Sequence, residues 1–328
     1  MAEMIATRIA YGLELAELGE RYPDVVVLDA DISKSTNTFY FTRKYPERSF
    51  NFGIAEQNMM GAAAGLAAMG KIPLANTYAV FASMRACEQV RTFICYPNLN
   101  VKIVVSHGGL AVGSDGVTHQ GTEDIGTMRC MPNMTIVSPA DGTATRKLLP
   151  QIIEHCGPVY YRLGRTPTPI VYDESEEFQL GRAKLLRQGA DVTIIAAGIM
   201  VSESLKAVAL LAAKGISARL LDMHTIKPID RAAVVSAAEE TGAIVAAEDH
   251  NIIGGLGSAV AEVVCETRPV PVERIGLRDV FGESGEPDAL FEKYSMSARH
   301  IAEAAERVRR GGPERGSAGE ACNPRIGG

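Results

Sequence analysis

The sequence predicts an α/β protein of two doubly wound domains, the second smaller than the first. Short strands that are apolar on both faces alternate with helical segments, as a parallel sheet covered on both sides requires. A stretch rich in Pro, Gly and acid interrupts this alternation near the middle of the chain, after which it resumes. A length of 328 residues with 46% hydrophobic residues provides for about two ordinary domains.

In chain order, a helix reaches about Glu20 and the strand Val25-Val26-Val27-Leu28 follows. A helix from Ile54 runs through an Ala/Gly-rich segment to Gly70, and another begins at Tyr78 and continues through Met84 to Ile94. Then come the strand Val101–Val105, the strand Thr135–Val137, a helix from Asp141 to about Glu154 and a strand Pro158–Tyr161. The second unit repeats the pattern with strands at Thr193–Ala197, Ala218–Leu221 and Ala243–Ala247, each followed by a helix. The expected organisation is a first domain over residues 1–165, a linker over 166–185, a smaller α/β domain over 186–310 and a disordered tail over 311–328.

A net charge of −6 and a pI near 5.6 argue against nucleic acid or an anionic membrane as partner. The N-terminus lacks a basic region followed by an apolar core, and no apolar run approaches the ~20 residues of a membrane helix, so the cytoplasm is the expected compartment. Cys87, Cys95, Cys130, Cys156, Cys265 and Cys322 show no C-x-x-C and no paired spacing, which reads as reduced structural thiols.

The stretch Phe50 to Gly70 places Glu56 before a helical stripe of Met59, Met60, Ala63, Leu66 and Met69 or Gly70. An acid pointing into such a stripe needs a partner or a proton; equally, a first-turn Glu is favoured by the helix dipole alone. The small residues from Gly61 to Ala68 admit a close neighbour, within this chain or across an interface. Polar clusters follow three strands: Asp29 to Thr36, Ser106 to Gln120, and Arg162 with Arg165. Carboxyl ends of parallel strands are where open sheets bind ligands, and the 106–120 loop exceeds a minimal connection. His107, His119, Arg162 and Arg165 together suit an anionic small molecule. His107 and His119 lack the spacing and third ligand of a zinc site, and no G-x-S-x-G elbow marks a hydrolase. Tyr78 and Phe81 form an i,i+3 aromatic pair, suited to core packing or to stacking on a flat heterocycle.

Four motifs in order resemble the pyrimidine-binding and C-terminal domains of transketolases: Gly53-Ile54-Ala55-Glu56-Gln57, Thr77-Tyr78-Ala79-Val80-Phe81, the Ser106-His107 to His119-Gln120 loop, and Tyr161-Arg162-Leu163-Gly164-Arg165. The resemblance covers about residues 2 to 305. It implies a pyrimidine-binding thiamin-diphosphate fold followed by a transketolase C-terminal-like domain, and a transferase using thiamine diphosphate and Mg2+. Glu56 then hydrogen-bonds the cofactor's aminopyrimidine and favours the imino tautomer that takes the thiazolium proton. Phe81 stacks on the pyrimidine, Tyr78 completes the pocket, and Asp31 matches an acidic position near the cofactor. Arg8, Ser35 and Arg165 match phosphate ligands, while His107, Asp115 and His119 match groups that hold sugar hydroxyls or phosphate. Met84 departs from the resemblance at a position that is often aromatic.

The Gly-Asp-Gly followed by Asn that holds magnesium and diphosphate in full-length members does not occur here. The expectation is therefore the C-terminal subunit of a split transketolase, with the metal ligands on an N-terminal partner subunit carrying the diphosphate-binding domain, sugar phosphates as substrates, and self-association giving a heterotetramer. The β subunit of a 2-oxo acid dehydrogenase, and a non-catalytic subunit retaining the fold, are the competing readings.

Overall fold

The computed structural model describes residues 3–311, so the expected tail lies, from residue 312 onward, outside the described residues. Helix α1 (Thr7–Leu18) leads into β1 (Val25–Asp29), all five of whose residues are buried. Next come β2 (Ser49–Asn51), α2 (Glu56–Ala68), β3 (Ile72–Tyr78), β4 (Lys102–Ser106), α3 (Asp124–Arg129), β5 (Thr135–Val137), α4 (Gly142–Glu154) and β6 (Val159–Arg162). Helix α4 starts where expected because Asp141 caps it, its carboxylate accepting from the Ala144 amide at 2.7 Å.

The second unit contains β7 (Lys184–Arg187), β8 (Val192–Ala196), α5 (Met200–Ala212), β9 (Ala218–Asp222), β10 (Thr225–Lys227), α6 (Arg231–Thr241), β11 (Ile244–Asn251), α7 (Leu256–Glu266), β12 (Val272–Leu277) and α8 (Ala298–Arg309). Its five-stranded sheet has the order β12-β11-β8-β9-β7, with β7 antiparallel at one edge. The first sheet has seven strands in the order β10-β5-β6-β4-β3-β1-β2. Its last member comes from the second unit: β10 pairs antiparallel with β5, Thr225 opposite Val137. A two-stranded ladder, Met4–Ile5 with Thr168–Pro169, ties the start of the chain to the connection between the units.

Two expectations are corrected. Tyr78 ends strand β3, and the helix starts after it. Strand β3 breaks the apolar pattern with Pro73, Asn76 and Thr77, yet Asn76 is buried without cost because its amide donates to the Leu28 and Leu74 carbonyls while its oxygen accepts from the Tyr11 hydroxyl at 2.8 Å. The stripe on α2 is buried only at Met59, Met60 and Ala63; Met69 is 82% exposed and a side chain on Gly65 would meet open space. The C-terminal end of α2 therefore presents an uncovered small-residue surface. Among the described residues no helix is long and apolar enough to cross a membrane.

Candidate active site

Adjacent strands β1, β3 and β4 end at one rim, and the turn from β2 into α2 delivers Glu56 beside it. Gly53 in that turn has φ 68°, a left-handed conformation that favours glycine. Glu56 is the first residue of α2 and is 2% exposed, so the two readings of it coincide: it faces the helix dipole and it is buried. Its Oε2 accepts from Arg85 Nη1 at 2.8 Å, and Thr77 Oγ1 lies 3.5 Å from Oε1. Residues Phe81–Arg85 form a π-helical turn, and side chains four apart on a helix are neighbours. The Arg85 guanidinium carbon lies 4.3 Å from the Phe81 ring centroid. Arg85 thus lies over Phe81 while bonding Glu56, so that an aromatic face and a buried carboxylate converge on one cationic group. A buried carboxylate beside an aromatic face is the chemistry that suits the pyrimidine end of thiamine diphosphate.

A chain of contacts leads from this slot to a cationic rim. Tyr78 and Phe81 lie with centroids 5.7 Å apart, and His119 presents its edge to both at 5.6 and 5.8 Å. Tyr78 also stacks on His107 at 3.9 Å. The Tyr78 hydroxyl donates to Ser35 Oγ at 2.9 Å, and Arg8 Nη1 donates to the Ser35 carbonyl at 2.8 Å and to its hydroxyl at 3.0 Å. Arg165 holds Asp115 through Nε at 3.1 Å and Nη2 at 3.2 Å. His107 Nε2 lies 3.4 Å from the same carboxylate, while Nδ1 meets Ser106 Oγ at 2.9 Å.

Burial pushes the His107 imidazole down to about 3, and the positive charges of Arg8 and Arg165 push the same way. His107 is therefore neutral at pH 7, and its approach to Asp115 at 3.4 Å is no ion pair. Arg8 lies among neutral acceptors, with its acidity raised by burial and by the neighbouring Arg165, and its Nε is buried without a hydrogen-bond partner. Two guanidinium groups against one carboxylate leave a net positive rim suited to an anion.

The 107–121 loop is fixed from both sides. Gly109 N–H donates to the Gly121 carbonyl and Gly121 N–H to the His107 carbonyl, closing the loop on itself. Asp249 of β11 accepts from the Leu110 and Ala111 amides at 2.6 and 3.1 Å. Gly109 sits at φ 90°, and a side chain there would strike the Asp249 carboxylate. Arg162 does not face a ligand as its sequence context suggested. It is 7% exposed, and its Nε and Nη2 are held by Asp124 at 2.8 and 3.1 Å and by the Gly121 and Asp249 carbonyls.

Glu56, Phe81, Tyr78, His119, His107, Ser35, Arg8, Asp115 and Arg165 are thus brought into one contiguous site. Asp31 is not joined to it: its side chain is exposed and accepts from Asn51 at 2.9 Å. Met84 is 44% exposed on the turn that carries Phe81. Among the described residues no cluster of His, Cys, Asp and Glu could hold a metal ion. Arg85 was missed from sequence, and Thr77 was read only as part of a motif, although both stand four residues from Phe81, one on each side.

The transketolase pyrimidine-binding domain family matches residues 3–169, and the transketolase C-terminal domain family matches residues 181–301. The chain is 47% identical over 294 residues to a 6-deoxy-6-sulfo-D-fructose transketolase subunit of Clostridium sp., covering 90% of this chain and 91% of that protein. It is 48% identical over 298 residues to a transketolase C-terminal section of Methanocaldococcus jannaschii, covering 90% and 93%. A solved structure described as a split gene transketolase, inactive beta4 tetramer, superposes with a TM-score of 0.87 at 52% identity, covering 93% of this chain and 99% of that one. Two family matches in order, near-full-length relatives and a shared fold lead to one assignment: the chain belongs to the transketolase family, of which it spans the pyrimidine-binding and C-terminal domains.

Proposed function

We propose that the chain is the C-terminal subunit of a thiamine-diphosphate-dependent transketolase that transfers a two-carbon ketol unit between phosphorylated sugars. The observation that carries this reading is the continuity between the Glu56–Phe81 slot and the Arg8–Arg165 rim through Tyr78 and His107. When bound, thiamine diphosphate supplies the nucleophilic carbon that holds the ketol unit. Glu56 anchors the pyrimidine by a hydrogen bond to its ring nitrogen, and Phe81 and Tyr78 wall it in. His107, neutral and pinned between Ser106 and Asp115, orients sugar hydroxyls together with His119. Arg8, Ser35 and Arg165 bind the terminal anion. The sulfonate in the name of one relative's substrate supports an anionic terminus without specifying it as phosphate.

The diphosphate and its Mg2+ are held by an N-terminal partner subunit, and the working enzyme is a heterotetramer. The inactive beta4 tetramer of the solved relative supports this requirement. The uncovered end of α2 supplies a surface for such an assembly. The test is ketol transfer from a ketose phosphate to an aldose phosphate, assayed with thiamine diphosphate and Mg2+. The full chain alone is expected to be silent and to gain activity on addition of the N-terminal subunit. Full turnover by the chain alone overturns the reading.

A further inference from the structure

The geometry points to Arg85 as an intrachain placeholder for the cofactor's pyrimidine, filling the Glu56–Phe81 slot until the ring displaces it. This inference rests on the cofactor site proposed above and adds a competitor for it. Two independent contacts support it. The guanidinium carbon lies over the Phe81 ring, 4.3 Å from its centroid, within the space a stacked heterocycle would take. Its Nη1 also donates at 2.8 Å to Oε2 of Glu56, the carboxylate assigned to the ring. The pyrimidine proposed above takes this same face of Phe81 and this same Oε2 edge of Glu56, so that ring and guanidinium exclude one another.

The exchange has a physical rationale on each side. Without cofactor, Glu56 at 2% exposure would be a buried carboxylate with only a long contact from Thr77, a costly state that the Arg85 charge relieves. Arg85 itself is 45% exposed, so its guanidinium has open water to move into without unpacking the core. Displacement makes the apparent cofactor affinity equal to the intrinsic affinity reduced by the fraction of chains whose slot is open. The same residue therefore stabilises the empty chain and weakens cofactor binding.

The experiment titrates thiamine diphosphate with Mg2+ calorimetrically into the complex of the full chain with its N-terminal subunit. Arg85→Ala, and Arg85→Gln as a bulk-preserving second variant, are expected to bind about tenfold more tightly than wild type, the gain from a slot closed about nine-tenths of the time. The melting temperature of the empty full chain is expected to fall in both variants, and the cofactor-induced rise to grow. Phe81→Ala and Glu56→Gln are expected to bind the cofactor more weakly. Unchanged or weaker binding in both Arg85 variants, beside weakened binding in Phe81→Ala, overturns the placeholder and leaves the cofactor site standing. Unchanged binding in Phe81→Ala and Glu56→Gln overturns both.

Discussion

The ring of Tyr78 covers His107 with centroids 3.9 Å apart, and this contact makes His107 one of the least accessible groups of the site, at 1% exposure. The imidazole is held neutral by that burial and by Arg8 and Arg165, with its ionisation pushed down to about 3. In histidine-selective NMR of the full chain, His107 is expected to remain neutral from pH 8 to pH 5. Tyr78→Ala is expected to raise its titration toward the ordinary ~6.5. Because the folded value lies below the unfolded one, the associated stability is present above about pH 6.5 and is lost as pH falls toward 3.

Glu56→Gln retains the shape of the side chain and removes its charge. In the assembled enzyme, hydrogen–deuterium exchange at the thiazolium carbon of bound cofactor is expected to slow by ~100-fold or more, with the fold retained by circular dichroism. Near-wild-type exchange overturns the assignment of Glu56.

Arg8 and Arg165 are expected to act on the charged end of the substrate alone. Arg8→Ala and Arg165→Ala should each raise KM for phosphorylated sugars by roughly tenfold or more, since a charge-assisted contact is worth about 1.5–3 kcal/mol. Steady-state kinetics with unphosphorylated analogues are the check, and equal effects on both substrate types move these residues out of the anion site.

Asp222, at the end of β9, is fully buried, and its carboxyl is pushed up to about 7 by that burial, against the hydrogen bond that Tyr172 donates to Oδ2 at 2.7 Å. Asp141 raises it further and Lys184 opposes. Between the unfolded value near 3.8 and about 7, the folded chain keeps a proton that the unfolded chain has released. Stability from this group is therefore complete at low pH and lost as pH rises through about 7. Urea unfolding at pH 5, 6, 7 and 8 should show wild type losing stability relative to Asp222→Asn as pH rises.

Arg162→Ala leaves Asp124, at 0% exposure, without its cation. A loss of about 3–5 kcal/mol in unfolding free energy is expected, because an unpaired buried charge is far costlier than a lost pair. Asp124→Leu with Arg162→Met removes both charges and should cost less than the single change; urea unfolding measures each.

The alternating architecture was legible because β1, β4, β6, β8, β9 and β11 each contain a short apolar stretch, the signature of strands covered on both faces. Strand β3 was hidden because a Pro, an Asn and a Thr carry no such signal, and the satisfaction of Asn76 depends on the Tyr11 hydroxyl and the Leu28 carbonyl, both distant in sequence. The residues of the site were legible as motifs, but not their division of labour. Arg162 and Arg165 are three residues apart in one motif, yet one is enclosed by Asp124 and Asp249 while the other reaches the rim with Asp115. Only the pairing of β11 with the 107–121 loop decides which is which. Arg85 was less legible: its four-residue spacing from Phe81 is an ordinary helical one, and only the fold brings Glu56, 29 residues earlier, within reach of its guanidinium.

Strand β10 crosses from the second unit to finish the sheet of the first, pairing Thr225 with Val137. A gene cut at the connection would leave β5 as a bare edge, its amides and carbonyls open to any passing strand. The two units are thus stitched by backbone as well as by the side chains of Asp249 and Arg162. Recombination that shuffles such modules should respect the pair as one inherited block.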